Sequence, residues 1–171
     1  LPQPKDITLT RDVIQIRTVR FDVYEQSIGY LRIASFHERT ADDVRKALRD
    51  LEAKAKPLKG LVLDLRNDPG GLLTQAIEVS DLFLTSGVIV STRGRQAAME
   101  TKAEAKNSGS AEVTVPMVVI VNEGTASAAE IVAGALQDNR RAVVIGTQTF
   151  GKASVQTVIP LDDGSALKLT T

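Results

Sequence analysis

The 171-residue chain has no cysteine, which excludes disulfides, thiolate metal sites and a cysteine nucleophile. It has a single histidine, His37, so a histidine metal cluster is excluded and a Ser-His-Asp triad would have to use that residue. No apolar run approaches the roughly 20 residues of a membrane-spanning helix. The formal net charge is zero with Lys and Arg scattered, which argues against nucleic acid or an anionic membrane as the main partner.

What is present is typical of a globular domain, with 43% apolar and 25% charged residues. Strand-like apolar segments alternate with helix-like segments, which predicts an α/β layered domain with a mostly parallel sheet. Residues 94–112 are polar and alanine-rich, and we expect either a partly helical surface excursion or a mobile flap near a site. The helical segments are predicted from Thr40, an expected N-cap, and from Leu73, Ile77, Ser80 and Leu84, which form a helical stripe. A C-terminal β-hairpin is expected over 154–171, with its turn at Asp162–Gly164. The expected strands are 27–36, 60–66, 87–93, 115–122 and 141–147.

Ligand sites in such sheets form in the loops that follow the carboxyl ends of the strands, and such a loop is called a handover below. The first notable handover is "NDPGG", residues 67–71, after a buried strand. Two glycines permit positive φ and a close backbone approach, and free amides at a helix start attract an anion or a transient oxyanion. The alternative is a tight turn that uses Pro69 and the glycines only for geometry.

The second handover, "VNEGTASAAE", places Ser127 three residues before Glu130. This S-x-x-E spacing is that of a helix capping box. A cap does not require the small residues around Ser127, however, and these would leave its hydroxyl open to a bulky substrate. Ser127 is therefore either a cap or a nucleophile, with the Ala128 amide placed to help a second amide hold an oxyanion.

A serine nucleophile needs a base, and the third handover, "TFGKASVQ", supplies Lys152. Lysine is charged at neutral pH, so Lys152 can act as a base only if burial among the apolar strands favours its neutral amine. The alternative is a solvated loop lysine. His37 is the competing base, but its neighbours Glu38 and Arg39 favour a surface or rim position.

Together the stretches "GLVLDLRNDPGG", "VNEGTASAAEIVAGALQDNRRAVVIG" and "TFGKASVQ" resemble the carboxyl-terminal processing proteases, also called tail-specific proteases. The resemblance implies a Ser-Lys dyad peptidase with Ser127 as nucleophile and Lys152, 25 residues later, as general base. It also implies that Gln156 orients the lysine, that the amides of Gly71 and Ala128 form the oxyanion hole, and that His37 has no catalytic role. No metal, nucleotide or organic cofactor is implied.

The resemblance further implies a core of the crotonase and Clp-protease type. Residues 1–20 would be a linker or terminal strand left from a preceding PDZ domain, and residues 21–171 a peptidase core truncated at its C-terminus. The expected substrates are unfolded or tagged polypeptides, bound through their C-terminal segments and cleaved near the C-terminus. Expected partners also include the protein's own PDZ domain, with homo-oligomer formation left open. The expected location is extracytoplasmic, in the periplasm or at a membrane, with any targeting segment outside residues 1–171.

The same three sequence motifs are compatible with two other functions. A non-catalytic peptide-binding or scaffold domain of this fold would bind peptides without reacting with serine-directed probes. A crotonase-type enzyme acting on coenzyme-A thioesters would use the same oxyanion amides, but usually with a carboxylate acid/base, which Lys152 and Gln156 fit poorly.

Overall fold

The computed structural model describes residues 17–94, 100–106 and 113–170. Strands and helices alternate along most of this length, as expected. In chain order the elements are β1 (Val19–Tyr24), β2 (Ile28–Ile33), α1 (Thr40–Lys54), β3 (Gly60–Asp64), α2 (Leu73–Asp81), β4 (Val88–Thr92), β5 (Thr101–Glu104), β6 (Met117–Val121), α3 (Ala128–Asp138), β7 (Val143–Gly146), β8 (Gln156–Pro160) and β9 (Ala166–Thr170).

The central sheet has five strands in the order β1-β2-β3-β6-β7. Strands β2, β3, β6 and β7 are parallel, and β1 is antiparallel to β2. The parallel strands advance in one direction across the sheet, so right-handed crossovers place all three helices on one face. This confirms the predicted α/β class with a mostly parallel sheet.

The core lies between this sheet and the helices. Helix α1 contacts α2, and α2 contacts α3, so the helices form one continuous layer. Apolar side chains of alternate strand positions meet the inner faces of the helices, as the period of two in strands requires. The fully buried members include Leu31, Ile33, Leu63 and Val119 from the strands and Val44, Leu48, Leu51, Val79, Val132 and Leu136 from the helices.

Two details of the predicted helices are wrong. Helix α1 already includes Thr40, with Arg39 at the N-cap position and no side-chain cap, because the Thr40 hydroxyl instead accepts a hydrogen bond from the His37 amide at 2.9 Å. In α2, Leu73 and Ile77 of the predicted stripe are only half-buried. The buried face of that helix is Gln75, Ala76, Val79 and Ser80.

Strand β4 was predicted, but it lies outside the central sheet and pairs with β5 as a separate antiparallel ladder. The expectation of partial helix in residues 94–112 is wrong for Thr101–Glu104, because these residues form β5. Pairing with β4 overrides the local helical preference of this charged segment. The rest of the predicted excursion, 95–99 and 107–112, lies outside the described residues, and so does the flap alternative there.

The C-terminal hairpin is confirmed, with β8 and β9 joined by a turn that contains Gly164 at φ +82°. Strand β1 begins at Val19 and pairs along its whole length with β2. The division between a linker over 1–20 and a core from 21 stays a prediction, since residues 1–16 lie outside the described part. None of the described helices has the length and apolar character needed to span a bilayer.

Replacing Leu63 with Ala tests the central position of β3. Leu63 is fully buried, so the truncation should lower the free energy of unfolding by about 2–5 kcal/mol, through lost burial and the cavity left behind. The matched control is Ile145→Ala on edge strand β7, where the side chain is 48% exposed and the expected loss is about 1 kcal/mol or less. Urea denaturation measures both, and equal losses would contradict the layered core.

Candidate active site

The three handovers meet at one edge of the sheet. The glycine turn (residues 67–71) follows β3, the serine loop (residues 122–127) follows β6, and the lysine loop (residues 147–152) follows β7. Strands β3, β6 and β7 are adjacent and parallel, so their carboxyl ends emerge side by side. The sheet order therefore brings together segments that are far apart in the chain.

Side-chain hydrogen bonds join the glycine turn to the serine loop. The backbone amide of Asn67 donates to Asn122 Oδ1 at 2.8 Å, and Nδ2 of the Asn122 side chain donates to Asn67 Oδ1 at 3.0 Å. The buried Thr125 hydroxyl donates to the Leu65 carbonyl at 2.8 Å. These contacts fix the two loops against each other, and no local sequence pattern predicts them.

Ser127 occupies a sharp strand-to-helix turn. Its backbone has φ 56° and ψ −117°, outside the regions that side-chain-bearing residues ordinarily adopt. Such a conformation costs about 1–3 kcal/mol and is found mainly at functional sites. A strained turn of this kind also presents the nucleophile of α/β-hydrolases at the start of a helix. Ser127 is half-buried, so its hydroxyl is not sealed in the core.

The glycine turn packs against the Ser127 turn through Gly70, the neighbour of the proposed oxyanion donor Gly71. Gly70 packs so closely that a Cβ on it would lie 2.7 Å from the Ala128 nitrogen, and one on Gly71 would lie 2.0 Å from the Phe36 carbonyl oxygen. Phe36 accepts from Leu72 and donates to Gly70, leaving the intervening Gly71 amide outside this ladder. Among the described residues, the amides of Gly71 and Ala128 have no hydrogen-bond acceptor, so both are available to an anionic oxygen.

Lys152 is exposed, contrary to the expectation that apolar strands bury it. It lies on the lysine loop beyond edge strand β7, where one side of the sheet has no further strand among the described residues. Its side chain is not hydrogen-bonded to the Ser127 hydroxyl or to Gln156, which begins β8 and is also exposed. The structure thus brings the serine and lysine loops together without closing a hydrogen-bonded dyad.

Glu130 joins those two loops. Its Oε2 accepts from the Ser127 amide at 2.7 Å and from the Lys152 amide at 2.9 Å. Its Oε1 accepts from the Thr149 hydroxyl at 2.7 Å and from the Gly151 amide at 2.6 Å. Burial by itself would raise the pKa of Glu130, but these four donors outweigh it and lower the pKa below its ordinary value.

The sequence identified only the capping role of Glu130. The capping box is present: Glu130 accepts from the Ser127 amide at 2.7 Å, and the Ser127 side chain lies against the Glu130 amide. The contacts with the lysine loop have no signature in the local sequence, because they depend on the pairing of β6 with β7.

Two buried aspartates flank the glycine turn. Asp64 is fully buried and accepts from Arg66, Tyr30 and Arg32 at 2.6–3.0 Å. Burial opposes ionisation of Asp64, but the hydrogen bonds from Arg66 and Tyr30 prevail and hold its pKa well below the usual range. Asp64 and Arg66 therefore have a structural role, holding the end of β3 where the glycine turn begins.

Asp68 has the opposite environment. It is fully buried, its Oδ1 accepts from the Gly70 amide at 2.8 Å, and its Oδ2 has no partner among the described residues. Burial raises the pKa of Asp68 to about 7, against the smaller opposing effects of the Gly70 hydrogen bond and the Arg32 charge. The backbone carbonyl of Asp68 accepts a hydrogen bond from the Ala126 amide at 2.9 Å, so Asp68 also joins the glycine turn to the serine loop.

His37 is exposed, as expected, and its Nε2 is 2.9 Å from the Ser35 hydroxyl oxygen. It follows Phe36, whose backbone pairs with the glycine turn, so it lies nearer the site than the sequence suggested. Within the described residues, no group of three or more His, Cys, Asp or Glu side chains is arranged to hold a metal ion.

Comparison with known proteins agrees with this arrangement. The model of peptidase family S41 matches residues 27–171. A carboxy-terminal-processing protease of Bartonella bacilliformis is 53% identical to this chain, in an alignment that covers 99% of this chain and 39% of the relative. A carboxyl-terminal-processing protease of Synechocystis is 42% identical, with 98% of this chain and 39% of the relative covered. A solved photosystem II D1 C-terminal processing protease superposes with a TM-score of 0.74 at 33% identity, covering 94% of this chain and 44% of the other. The chain thus spans about two fifths of the length of these relatives.

Replacing Asp68 with Asn tests the titration of the buried carboxyl. The pKa of Asp68 is raised from 3.8 to about 7 in the folded state, so its stabilising contribution is full below about pH 4 and is lost as pH rises through 7. The loss is at most about 4 kcal/mol. Asn stays neutral, so the free energy of unfolding should fall less between pH 5 and pH 8 in Asp68→Asn than in the wild type.

Urea denaturation at the two pH values measures this difference. The control is Asp162→Asn, which removes an exposed carboxyl in the hairpin turn and should leave the pH dependence of the wild type in place. Equal pH dependence in Asp68→Asn and the wild type would show that Asp68 does not titrate in this range.

Proposed function

The chain belongs to peptidase family S41, and we propose that it holds the catalytic groups of a serine endopeptidase that cleaves near the C-terminus of protein substrates. Ser127 is the nucleophile, Lys152 the general base, and the amides of Gly71 and Ala128 the oxyanion hole. The observation that carries the proposal is the strained backbone of Ser127 beside the amides of Gly71 and Ala128, which have no acceptor among the described residues. A serine that only capped a helix would need neither feature.

In the proposed reaction, Ser127 Oγ forms a bond to the scissile carbonyl carbon while its proton passes to the neutral amine of Lys152. The carbonyl oxygen becomes an oxyanion held by the two amides. The C–N bond then breaks, and Lys152 returns the proton to the leaving amine. Water, deprotonated by Lys152, attacks the acyl-enzyme and releases the carboxylate and Ser127.

This mechanism needs Lys152 in its uncharged form. Because the lysine is exposed in the structure, water must be displaced from it before it can act as a base. A bound substrate that covers the lysine loop would do this and would bring the amine to the Ser127 hydroxyl. Gln156, four residues after Lys152, is then placed to orient the amine through its side-chain amide.

The proposed substrate is an extended, unfolded C-terminal segment that adds as a strand along residues 154–160. Main-chain hydrogen bonds would supply affinity, and side-chain pockets specificity. Two features support this mode: strand β8 pairs only with β9 among the described strands, and Val158 and Ile159 are 60% and 41% exposed. An extended substrate there would lie directly after the lysine loop.

The wider setting is part of the proposal. A PDZ domain of the same protein would present substrate C-termini to this site, as the family resemblance implies, and the protein would work outside the cytoplasm, in the periplasm or at a membrane. No cofactor takes part. Homo-oligomer formation is left to measurement.

One observation favours a second candidate, a non-catalytic peptide-binding domain of the same fold. The Ser127 hydroxyl and the Lys152 amine are not hydrogen-bonded, and the lysine is exposed. Catalytic hydrogen bonds are often long or absent without substrate, so the open arrangement fits both candidates. Covalent capture by a fluorophosphonate separates them, because only an activated serine reacts.

Single replacements of Ser127, Lys152 and His37 by Ala test the dyad. Ser127→Ala and Lys152→Ala should each lower kcat/KM by at least about 10³-fold, because nucleophile and base act as one unit. His37→Ala, which removes the other candidate base, should keep activity within about threefold, as expected for a residue outside the reaction. Cleavage of an unstructured peptide is followed by mass spectrometry, with thermal unfolding to verify the fold.

Each contrary result has a distinct meaning. Near-normal cleavage by Lys152→Ala would refute lysine as the base. Loss of activity in His37→Ala alone would assign that role to the histidine. A wild-type protein that binds the peptide but neither cleaves it nor reacts with the fluorophosphonate would be the non-catalytic domain.

A further inference from the structure

We propose that Glu130 is a positioning residue for catalysis, which holds the backbone of the general base at a fixed place relative to the nucleophile. The proposal rests on the peptidase function above and adds a group that neither the nucleophile, the base nor the oxyanion hole includes. It is carried by the geometry around one carboxylate on the first turn of α3.

The Glu130 carboxylate connects the two catalytic residues directly. Its Oε2 accepts from the backbone amides of both Ser127 and Lys152, at 2.7 and 2.9 Å. These two nitrogens therefore cannot be farther apart than the sum of the two hydrogen-bond lengths. A capping box requires only the contact with Ser127, so the contact with Lys152 is additional to the cap.

The second oxygen strengthens the link to the lysine loop. Oε1 accepts from the Thr149 hydroxyl at 2.7 Å and from the Gly151 amide at 2.6 Å. Three of the four groups that donate to Glu130 therefore belong to residues 149–152. Elsewhere the Phe150 amide donates to the Thr125 carbonyl at 3.0 Å, and Thr147 at the start of the loop donates to the Val121 carbonyl and to Glu123. No hydrogen bond joins residues 153–155 to the rest of the described chain, so Glu130 is the last anchor before β8.

Only a carboxylate satisfies all four donors. An ionised carboxyl has about four lone-pair sites and no hydrogen to donate, whereas an amide has one oxygen and one NH₂ group. In Glu130→Gln the NH₂ group would face either the Gly151 amide or the amides of Ser127 and Lys152. In both orientations at least one backbone N–H opposes another donor, so the lysine loop must shift although the side chain keeps its size and shape.

A shift of about 1 Å in a catalytic group can lower the rate about 10²-fold. Because Glu130 contacts no part of the proposed substrate strand, its replacement should act on the chemical step and leave substrate binding in place. This split between kcat and KM distinguishes positioning from a general loss of structure, which would lower the amount of active protein and the melting temperature together.

The experiment compares Glu130→Gln with two other variants in peptide cleavage, fluorophosphonate labelling and thermal unfolding. Glu130→Gln should lower kcat by about 10²-fold, with KM within about threefold of the wild type. The matched control is Glu123→Gln, the same change at an exposed glutamate whose only hydrogen bond to the lysine loop, among the described residues, comes from the Thr147 hydroxyl at 3.1 Å. Its kcat should stay within about threefold, because this exposed contact adds little to the position of the loop.

Thr149→Val is the second variant and keeps the result decisive if Glu130→Gln does not fold. It removes one donor on the lysine loop and leaves the Ser127 contact with Glu130 in place. Its kcat should fall about 3- to 10-fold with an unchanged KM, a loss equivalent to about 1 kcal/mol for one hydrogen bond.

A wild-type kcat in a folded Glu130→Gln, or in Thr149→Val if the former does not fold, would overturn the proposal. So would equal losses in Glu130→Gln and Glu123→Gln. The positive control is a wild-type protein that cleaves the peptide, and the negative control is Ser127→Ala, which does not. A wild type without cleavage or labelling would refute the peptidase function itself, which is a different result.

Discussion

The site depends on the parallel pairing of β3, β6 and β7, whose carboxyl ends lie side by side at one edge of the sheet. This register carries the glycine turn, the serine loop and the lysine loop to the same place, although they come from three separate parts of the chain. Hydrogen bonds then fix them pairwise: the Asn67–Asn122 pair joins the first two, and Glu130 joins the second to the third. The sheet sets the approximate position of each loop, and these polar contacts set the fine geometry.

The strained backbone of Ser127 is supported by these contacts. A positive φ at a residue with a side chain persists only where the surroundings over-determine it. Here the Ser127 amide is held by Glu130, while the preceding Ala126 amide is held by the Asp68 carbonyl. Neighbouring hydrogen bonds offset the free-energy cost of this turn, and the turn packs against Gly70 in the glycine turn.

The three acidic residues around the site show how environment decides the state of a carboxyl. Asp64 is buried but surrounded by donors and stays ionised, and Glu130 is held ionised by four donors. Asp68 also has no exposed surface, but among the described residues only its Oδ1 has a hydrogen-bond partner, and burial raises its pKa to about 7. Around the site, hydrogen bonds therefore favour the ionised form of Asp64 and Glu130, whereas burial favours the neutral form of Asp68.

Local pattern alone predicted most of the fold: the alternation of strands and helices, the mostly parallel sheet and the C-terminal hairpin over 154–171. It failed where packing decides. Thr101–Glu104 forms a strand through pairing with β4, and the buried face of α2 is displaced from Leu73 and Ile77. In both cases the outcome depends on which element lies alongside, and local propensity carries no information about that.

The sequence by itself determined which residues we propose for the chemistry, because Ser127, Lys152 and the paired glycines stand in short motifs whose composition and order are readable along the chain. Only the tertiary structure decided how they are held. The exposure of Lys152, the orphaned oxygen of Asp68 and the bridge made by Glu130 arise between residues on different strands. Burial and hydrogen bonding are properties of neighbours in space, which a linear sequence does not specify until the strands are paired.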